Sequence, residues 1–170
     1  MMPLVRRSWA PRGQTPFLYQ RTLSHRKVSV IAVLCVSPAR DRLHLFFRLH
    51  PNANINGELV LEFLKHLSRQ LHCPMILIWD RFLPHRAKIV QSFIKESPKF
   101  HMAFLPPYAP EFNPVENVWG YLKHNSLVND AVYDLTSLAN RARNRTRSLQ
   151  CKQYLLRSFL KHSPLFLRLE

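Results

Sequence analysis

The chain reads as an α/β protein, a mixed sheet flanked by helices and followed by a helical C-terminal tail. Three observations predict this. Short apolar runs rich in β-branched and aromatic residues recur between residues 27 and 105, and segments of helical spacing alternate with them. Beyond Asp134 only helical spacing remains. At 170 residues and 46% hydrophobic composition, the chain can bury one core.

The opening, residues 9–16, has no period and reads as a loop. Residues 27–37 are β-branched and nearly continuous in apolar character, as in a strand covered on both faces. Residues 37–42 form a turn, and residues 43–49 read as the antiparallel partner strand. A helix start falls within residues 54–58. Leu59, Phe63, Leu64, Leu67 and Leu71 then follow helical spacing through His72, and Pro74 ends the element. Met75–Trp79 is predicted to be a short buried strand. Ile89, Val90, Phe93 and Ile94 place a helix over residues 86–97. Residues 100–105 form another short strand, closed by Pro106 and Pro107. A helix begins near Asn113 and runs to about His124, with Pro114 in the first turn where its missing N–H costs nothing. In the tail, Leu135, Leu138, Ala139, Leu149, Leu155, Leu156, Phe159 and Leu160 give amphipathic helices. They are laced with Arg141, Arg143, Arg145, Arg147, Lys152 and Arg157. A domain edge is expected around residues 125–134, dividing the chain into 1–125 and a basic helical tail, 126–170, packed on or following it. A solvated charge run explains the tail's arginines equally well.

Lys and Arg total 25 against 10 Asp and Glu, a net charge of +15. That balance favours a polyanionic partner, nucleic acid above all, because each phosphate neutralised releases condensed counterions. The longest apolar run, Val28–Val36, is far short of the ~20 residues a membrane helix needs, so no membrane partner is expected. No apolar segment follows the first arginines, so no signal peptide is visible. Cys35, Cys73 and Cys151 are odd in number and far apart. They suit neither a zinc site nor a disulfide framework, and imply reduced thiols and a cytoplasmic setting.

Asp80 ends an apolar strand, where α/β sheets place their ligands. Glu116 lies just inside the helix opened by Asn113-Pro114. Two carboxylates on rigid elements, in a chain with few acids, suit divalent-metal phosphodiester chemistry. Each also has a plain reading, Asp80 as a turn or cap residue and Glu116 as a complement to the helix dipole. His85 is either a metal ligand or proton shuttle or, more ordinarily, a hydrogen-bonding structural residue. Core packing is the expected role of Trp79 and Trp119, ahead of stacking on an unpaired base. Glu111 reads as a surface residue.

The string Leu105-Pro106-Pro107-Tyr108-Ala109-Pro110, then Asn113-Pro114-x-Glu116 and Trp119, together with Asp80-x4-His85, resembles the catalytic core of the mariner-type DDE transposases, particularly the bacterial insertion-sequence branch. The resemblance covers residues 6–123 but only the later part of the family's full protein. It implies a ribonuclease-H-like fold from its second strand onward, so residues 1–125 would be a partial catalytic domain. It implies Mg2+, or alternatively Mn2+, held by Asp80 and Glu116 as the catalytic and metal-binding acids, with His85 and Asn113 supporting them. DNA is the implied partner, its backbone held by Arg81, Arg86, Lys123, Arg141 and Arg145, and the full-length family enzyme is expected to form a homodimer. Two departures matter. Arg81 stands where many relatives have Asn or Gly. The family's first acid lies upstream of a segment resembling Arg7 to Pro16, and none of the residues before Trp9 is acidic. Asp41, in the hairpin turn, is a poor substitute, so the two-metal site is expected to be incomplete. The family's N-terminal DNA-reading helix-turn-helix is likewise expected to be missing.

The chain is therefore expected to be a transposase catalytic-domain fragment for metal-dependent DNA strand cleavage and transfer, or an inactive remnant that binds DNA without cutting it. A basic RNA-associated structural protein would explain the charge but not the motif string. The expected carboxylate separation is roughly 4–8 Å, close enough to share metals. Loss of the first strand should expose an edge at the centre of the sheet and leave the fragment marginally stable or aggregation-prone.

Overall fold

In the computed structural model, which describes residues 10–14, 27–126, 134–165 and 169, strands β1 (Val28–Val36) and β2 (Leu43–Pro51) pair antiparallel along their whole length. The turn between them closes with Ser37 N–H donating to the Arg42 carbonyl at 2.9 Å, and Arg40 takes a left-handed φ of 57°. The two faces of β1 serve different cores. Ala32, Leu34 and Val36 pack with the cluster of Leu43, Leu45, Val118, Leu122, Leu149, Leu156, Phe159 and Leu160. Ile31, on the other face, packs with Val60, Leu64, Leu77, Trp79, Val90, Ile94 and Phe100.

Helix α1 (Gly57–Gln70) starts where Asn56 accepts a hydrogen bond from Leu59 N–H at 2.9 Å, satisfying one orphan donor of the first turn. It buries Val60, Phe63, Leu64 and Leu67 and stops at Leu71, which is extended. That is a residue or two short of the expected His72. Strands β3 (Met75–Trp79) and β4 (Phe100–Phe104) pair in parallel, Met75 opposite Phe100 and Trp79 opposite Phe104. Parallel pairing demands a crossover, supplied by helix α2 (Lys88–Glu96). Arg86 falls outside α2, in a short 3-10 turn, Leu83–Arg86, because extended Ala87 separates the two. Helix α3 (Pro114–Tyr121) continues as a wider π-type turn, Leu122–Ser126. Asp134 caps α4 (Leu135–Gln150) by accepting from Ser137 N–H and Ser137 Oγ, each at 2.7 Å, and α5 (Gln153–Lys161) follows. None of the described helices is long and apolar enough to cross a membrane.

The fold is mixed α/β, but its strands make two separate ladders instead of one continuous sheet: among the described residues β1 and β3 share no pairing. β3 also departs from the expected buried strand. Leu77 and Trp79 are buried, whereas Ile76 is 72% and Ile78 40% exposed. The physical reason is the same for both findings: among the described residues only one face of β3 is covered, and its outer edge meets no neighbouring strand.

The tail helices bind the β2 end of the molecule. Gln153 accepts from Leu43 N–H at 3.0 Å and donates to the Leu43 carbonyl at 2.7 Å, while Gln150 donates to the Leu45 carbonyl at 2.6 Å. Asn117 of α3 donates to the Phe159 carbonyl at 3.0 Å. The buried stripe of α4 runs through Leu138, Ala139, Ala142, Thr146 and Leu149. Helical spacing puts Arg141 and Arg145 on one flank of that stripe and Arg143 and Arg147 on the other.

Candidate active site

Asp80 follows β3 at a point where the chain turns back on itself. Its Oδ1 accepts from Phe82 N–H at 3.0 Å and lies 2.8 Å from His85 Nδ1. A carboxylate can only accept, so Nδ1–H donates to it. The imidazole is held on a second side by Trp79, on which it stacks at 4.4 Å with a 10° interplanar angle. Phe82 meets it edge-on at 5.5 Å. The Asp80 side chain nonetheless keeps 49% exposure, leaving it accessible to a ligand.

Glu116 is exposed in the first turn of α3. Asn113 sets its position, accepting from Val115 N–H at 3.2 Å with its side chain and from Glu116 N–H at 3.0 Å with its carbonyl. Pro114 at the first helical position gives up a donor that would have had no partner. Asp80, His85, Asn113 and Glu116 all line one cavity of about 770 Å³. Two carboxylates borne by separate elements thus share one wall system, at the C-terminal end of β3.

The remaining expected residues scatter. Arg81 is exposed, its guanidinium 5.7 Å above the Phe104 ring. Arg86 is exposed in the turn after Asp80, and Lys123 is half-buried in the π-type turn after α3. Arg141 and Arg145 are exposed on α4. None of these five lines the cavity among its described walls. Asp41 does not either: it caps the β1–β2 turn, where a 2.6 Å hydrogen bond from Ser37 Oγ holds its carboxyl below the usual range. Trp79 is buried and Trp119 packs against the β2 core, and both contribute to the cavity wall.

Sequence reasoning missed Gly57. A Cβ there would sit 2.5 Å from Ala87 Cβ, so α1 approaches the end of the His85 turn closely enough to need a glycine. The available signal was a glycine at the first position of a capped helix, where a helix former is the ordinary choice.

Asp80 and Glu116 offer hard oxygen donors, the type Mg2+ and Mn2+ prefer, and both remain accessible. Both residues line the same cavity, and their donor chemistry suits a hard divalent cation that water could complete. Among the described residues no group of three His, Cys, Asp or Glu side chains converges.

The chain resembles known proteins in both sequence and fold. It is 32% identical over 91 residues to the 39 kDa protein of insertion element IS630 from Shigella sonnei, an alignment covering 52% of this chain and 26% of that protein. It is 47% identical over 74 residues to the y4pE/y4sA protein of Sinorhizobium fredii, covering 42% and 52% respectively. The chain thus spans between a quarter and about half of these relatives. Its fold matches Mos1 mariner transposase in the paired-end complex with manganese at TM-score 0.68 and 15% identity, covering 95% of this chain and 48% of Mos1. The Mos1 strand-transfer complex matches at TM-score 0.63 and 16% identity, over 95% and 47%. At such identities the likeness establishes a shared fold, the ribonuclease-H-like one expected. The DDE superfamily endonuclease model aligns with residues 2–139, most of the chain, and this chain belongs to that family.

Proposed function

We propose that this chain is part of a transposase catalytic core that binds DNA along its basic surface and holds one divalent cation between Asp80 and Glu116. The observation carrying the reading is that these two carboxylates, from separate elements, line one cavity at the end of β3. A bound Mg2+ or Mn2+ would polarise a phosphoryl oxygen and acidify its bound water. His85 fixes the rotamer of Asp80 through Nδ1, and Asn113 fixes the helix start that presents Glu116. Arg81, Arg86, Lys123, Arg141 and Arg145 neutralise backbone phosphates without reading bases. Strand cleavage and transfer at transposon ends, and assembly as a homodimer, belong to the longer protein. The chain alone binds DNA and does not cut it, because two acids serve one cation where this chemistry uses a pair.

Mn2+ binding followed by electron paramagnetic resonance tests the site. Asp80→Asn and Glu116→Gln should each weaken binding at least tenfold, about 1.4 kcal/mol. Affinities equal to that of the unsubstituted chain would end the reading. Nicking of supercoiled plasmid by the chain alone, in Mg2+ or Mn2+ and abolished by Asp80→Asn, would show that another acid completes the set. Duplex affinity should fall steeply with salt, with a shallower slope once Arg141 and Arg145 are neutralised.

A further inference from the structure

Asp80 is held by His85, and the rings that support His85 leave it one freedom. An imidazole lying on the Trp79 indole at 4.4 Å, with Phe82 edge-on to it, can still slide and turn within the plane of the stack. Aiming Nδ1 at Asp80 Oδ1, 2.8 Å away, therefore requires the His85 backbone to be fixed as well. Gln91, near the start of α2, supplies that: its Nε2 donates to the His85 carbonyl at 2.7 Å. Helix side chains lean toward the N-terminus of their own helix, so Gln91 reaches back past Ala87 to the turn before α2. No capping side chain fixes that junction, because Ala87 stands at the cap position. The half-buried Gln91 amide is itself anchored, since Nε2 also lies 3.7 Å from Met102 Sδ on β4 and so can use both of its hydrogens. From the other side α1 bears on the same junction, where a Cβ on Gly57 would meet Ala87 Cβ at 2.5 Å.

We propose that Gln91 is a positioning residue for the cation site: by holding the His85 carbonyl it keeps the Asp80 carboxylate in the orientation that the cavity presents to a ligand. The inference rests on the metal reading above where metal affinity is concerned, whereas the hold on Asp80 stands on the hydrogen bonds alone. The route runs from β4 through the Gln91 amide to the His85 backbone, then through the imidazole to Asp80 Oδ1, which also accepts from Phe82 N–H at 3.0 Å. Without the Gln91 donor the turn Leu83–Arg86 can shift along the indole face, and Oδ1 loses its fixed pair of donors. Asp80 keeps 49% exposure, so water competes for its oxygens as soon as that pair loosens. Gln91 is not among the described walls of the cavity, so its effect on a bound cation passes through His85.

The test uses the full chain carrying Gln91→Met, which keeps the length of the side chain and removes both donors. Ile94→Val, which loosens the buried face of the same helix away from the turn, is the control. Solvent exchange of the Phe82 amide, followed by NMR without metal, reads the grip on Asp80, and Mn2+ affinity by electron paramagnetic resonance reads the site. Partners that orient metal ligands change affinity roughly ten- to a hundredfold, and Gln91, one link further out, should account for about threefold. Gln91→Met should speed Phe82 exchange by a similar factor and leave the β3–β4 ladder amides as they were. Ile94→Val should lower the urea midpoint and change neither reading. In a His85→Ala background, Gln91→Met should have no further effect on Mn2+ affinity. Gln91→Lys, whose ammonium can donate to the same carbonyl, should restore the Phe82 exchange rate. Unchanged Phe82 exchange, a speeding shared by all of β4, or equal weakening of Mn2+ with and without His85 overturns the proposal. So does Mn2+ binding weakened by Asp80→Asn but not by Gln91→Met. Mn2+ affinity indifferent to Asp80→Asn, with Phe82 exchange still faster in Gln91→Met, removes the metal reading and leaves Gln91 positioning Asp80.

Discussion

The β1–β2 ladder pairs nine residues on each strand and is roofed by α4 and α5, whereas the β3–β4 ladder pairs five and leaves Ile76 and Ile78 facing solvent. The residue types differ little; both ladders are rich in Ile, Leu, Val and Phe. What differs is the number of covered faces. Each ladder has its own apolar cluster, and among the described residues no strand pairing joins them. Ile31, reaching from β1 into the β3 core, and the Arg48–Glu62 ion pair at 2.9 Å between β2 and α1 are direct links across the seam. The ion pair is exposed and contributes at most about 1 kcal/mol. The molecule therefore reads as two half-cores leaning on a shared seam, and the site lies at the end of that seam.

The largest effect that can break this comparison comes from emptying each core in turn. Leu156→Ala on the β2 side and Leu64→Ala on the β3 side remove well-buried side chains and should each cost about 2–5 kcal/mol. Fluorescence of variants keeping only Trp119 or only Trp79 follows one half at a time in urea. Leu64→Ala should lower the Trp79 transition and leave the Trp119 transition nearly in place, and Leu156→Ala the reverse. Coincident shifts would mean that the halves unfold as one body.

A smaller effect comes from the caps. Asn56→Ala and Asn113→Ala each leave an orphan N–H and should cost about 1 kcal/mol. Only Asn113→Ala should also weaken Mn2+ binding, because only that cap presents an acid to the cavity. Equal metal affinities in the two variants would detach Glu116 from the site.

The smallest effect reads the seam through pH. Burial, and then Arg48, lower the pKa of His50 on β2, with Glu62 opposing, and Nε2 has no partner among the described residues. The folded value lies below the unfolded value near 6.5, so in that window the unfolded chain binds more protons. Stability is whole above the ordinary histidine range and falls as pH drops through about 6.5 toward the lower folded value. His50→Gln should flatten the Tm profile in that window. An unchanged slope would move the effect to another histidine.

Strand and helix positions were legible because burial imposes period: Met75–Trp79, the Asn56 cap and the Asn113-Pro114 helix start stand where their residues put them. The elements that carry Asp80 and Glu116 were legible for the same reason. The seam was foreshadowed only by the resemblance, as an edge at the centre of the sheet; no periodicity within β1 or β3 encodes it. The exposure of Ile76 and Ile78 is invisible likewise, since an apolar run does not say which of its faces finds a cover. Arg86 was misassigned because apolar spacing from Ile89 to Ile94 says nothing of the extended Ala87 that starts α2 late. Gly57 needed a neighbour distant in sequence, Ala87, to explain it.

Gln150 and Gln153 bear on how copies of this molecule could meet in concentrated solution. A side-chain amide carries the same donor and acceptor as a peptide group, and Gln153 presents both to Leu43 as a neighbouring strand would. At Leu43 and Leu45 the outer margin of β2 is thereby already occupied, and a second molecule arriving there finds no template to extend. On that flank three hydrogen bonds from two residues take up backbone groups that an incoming strand would need. Replacing the glutamines would open an outward path for self-assembly that the wild-type surface closes.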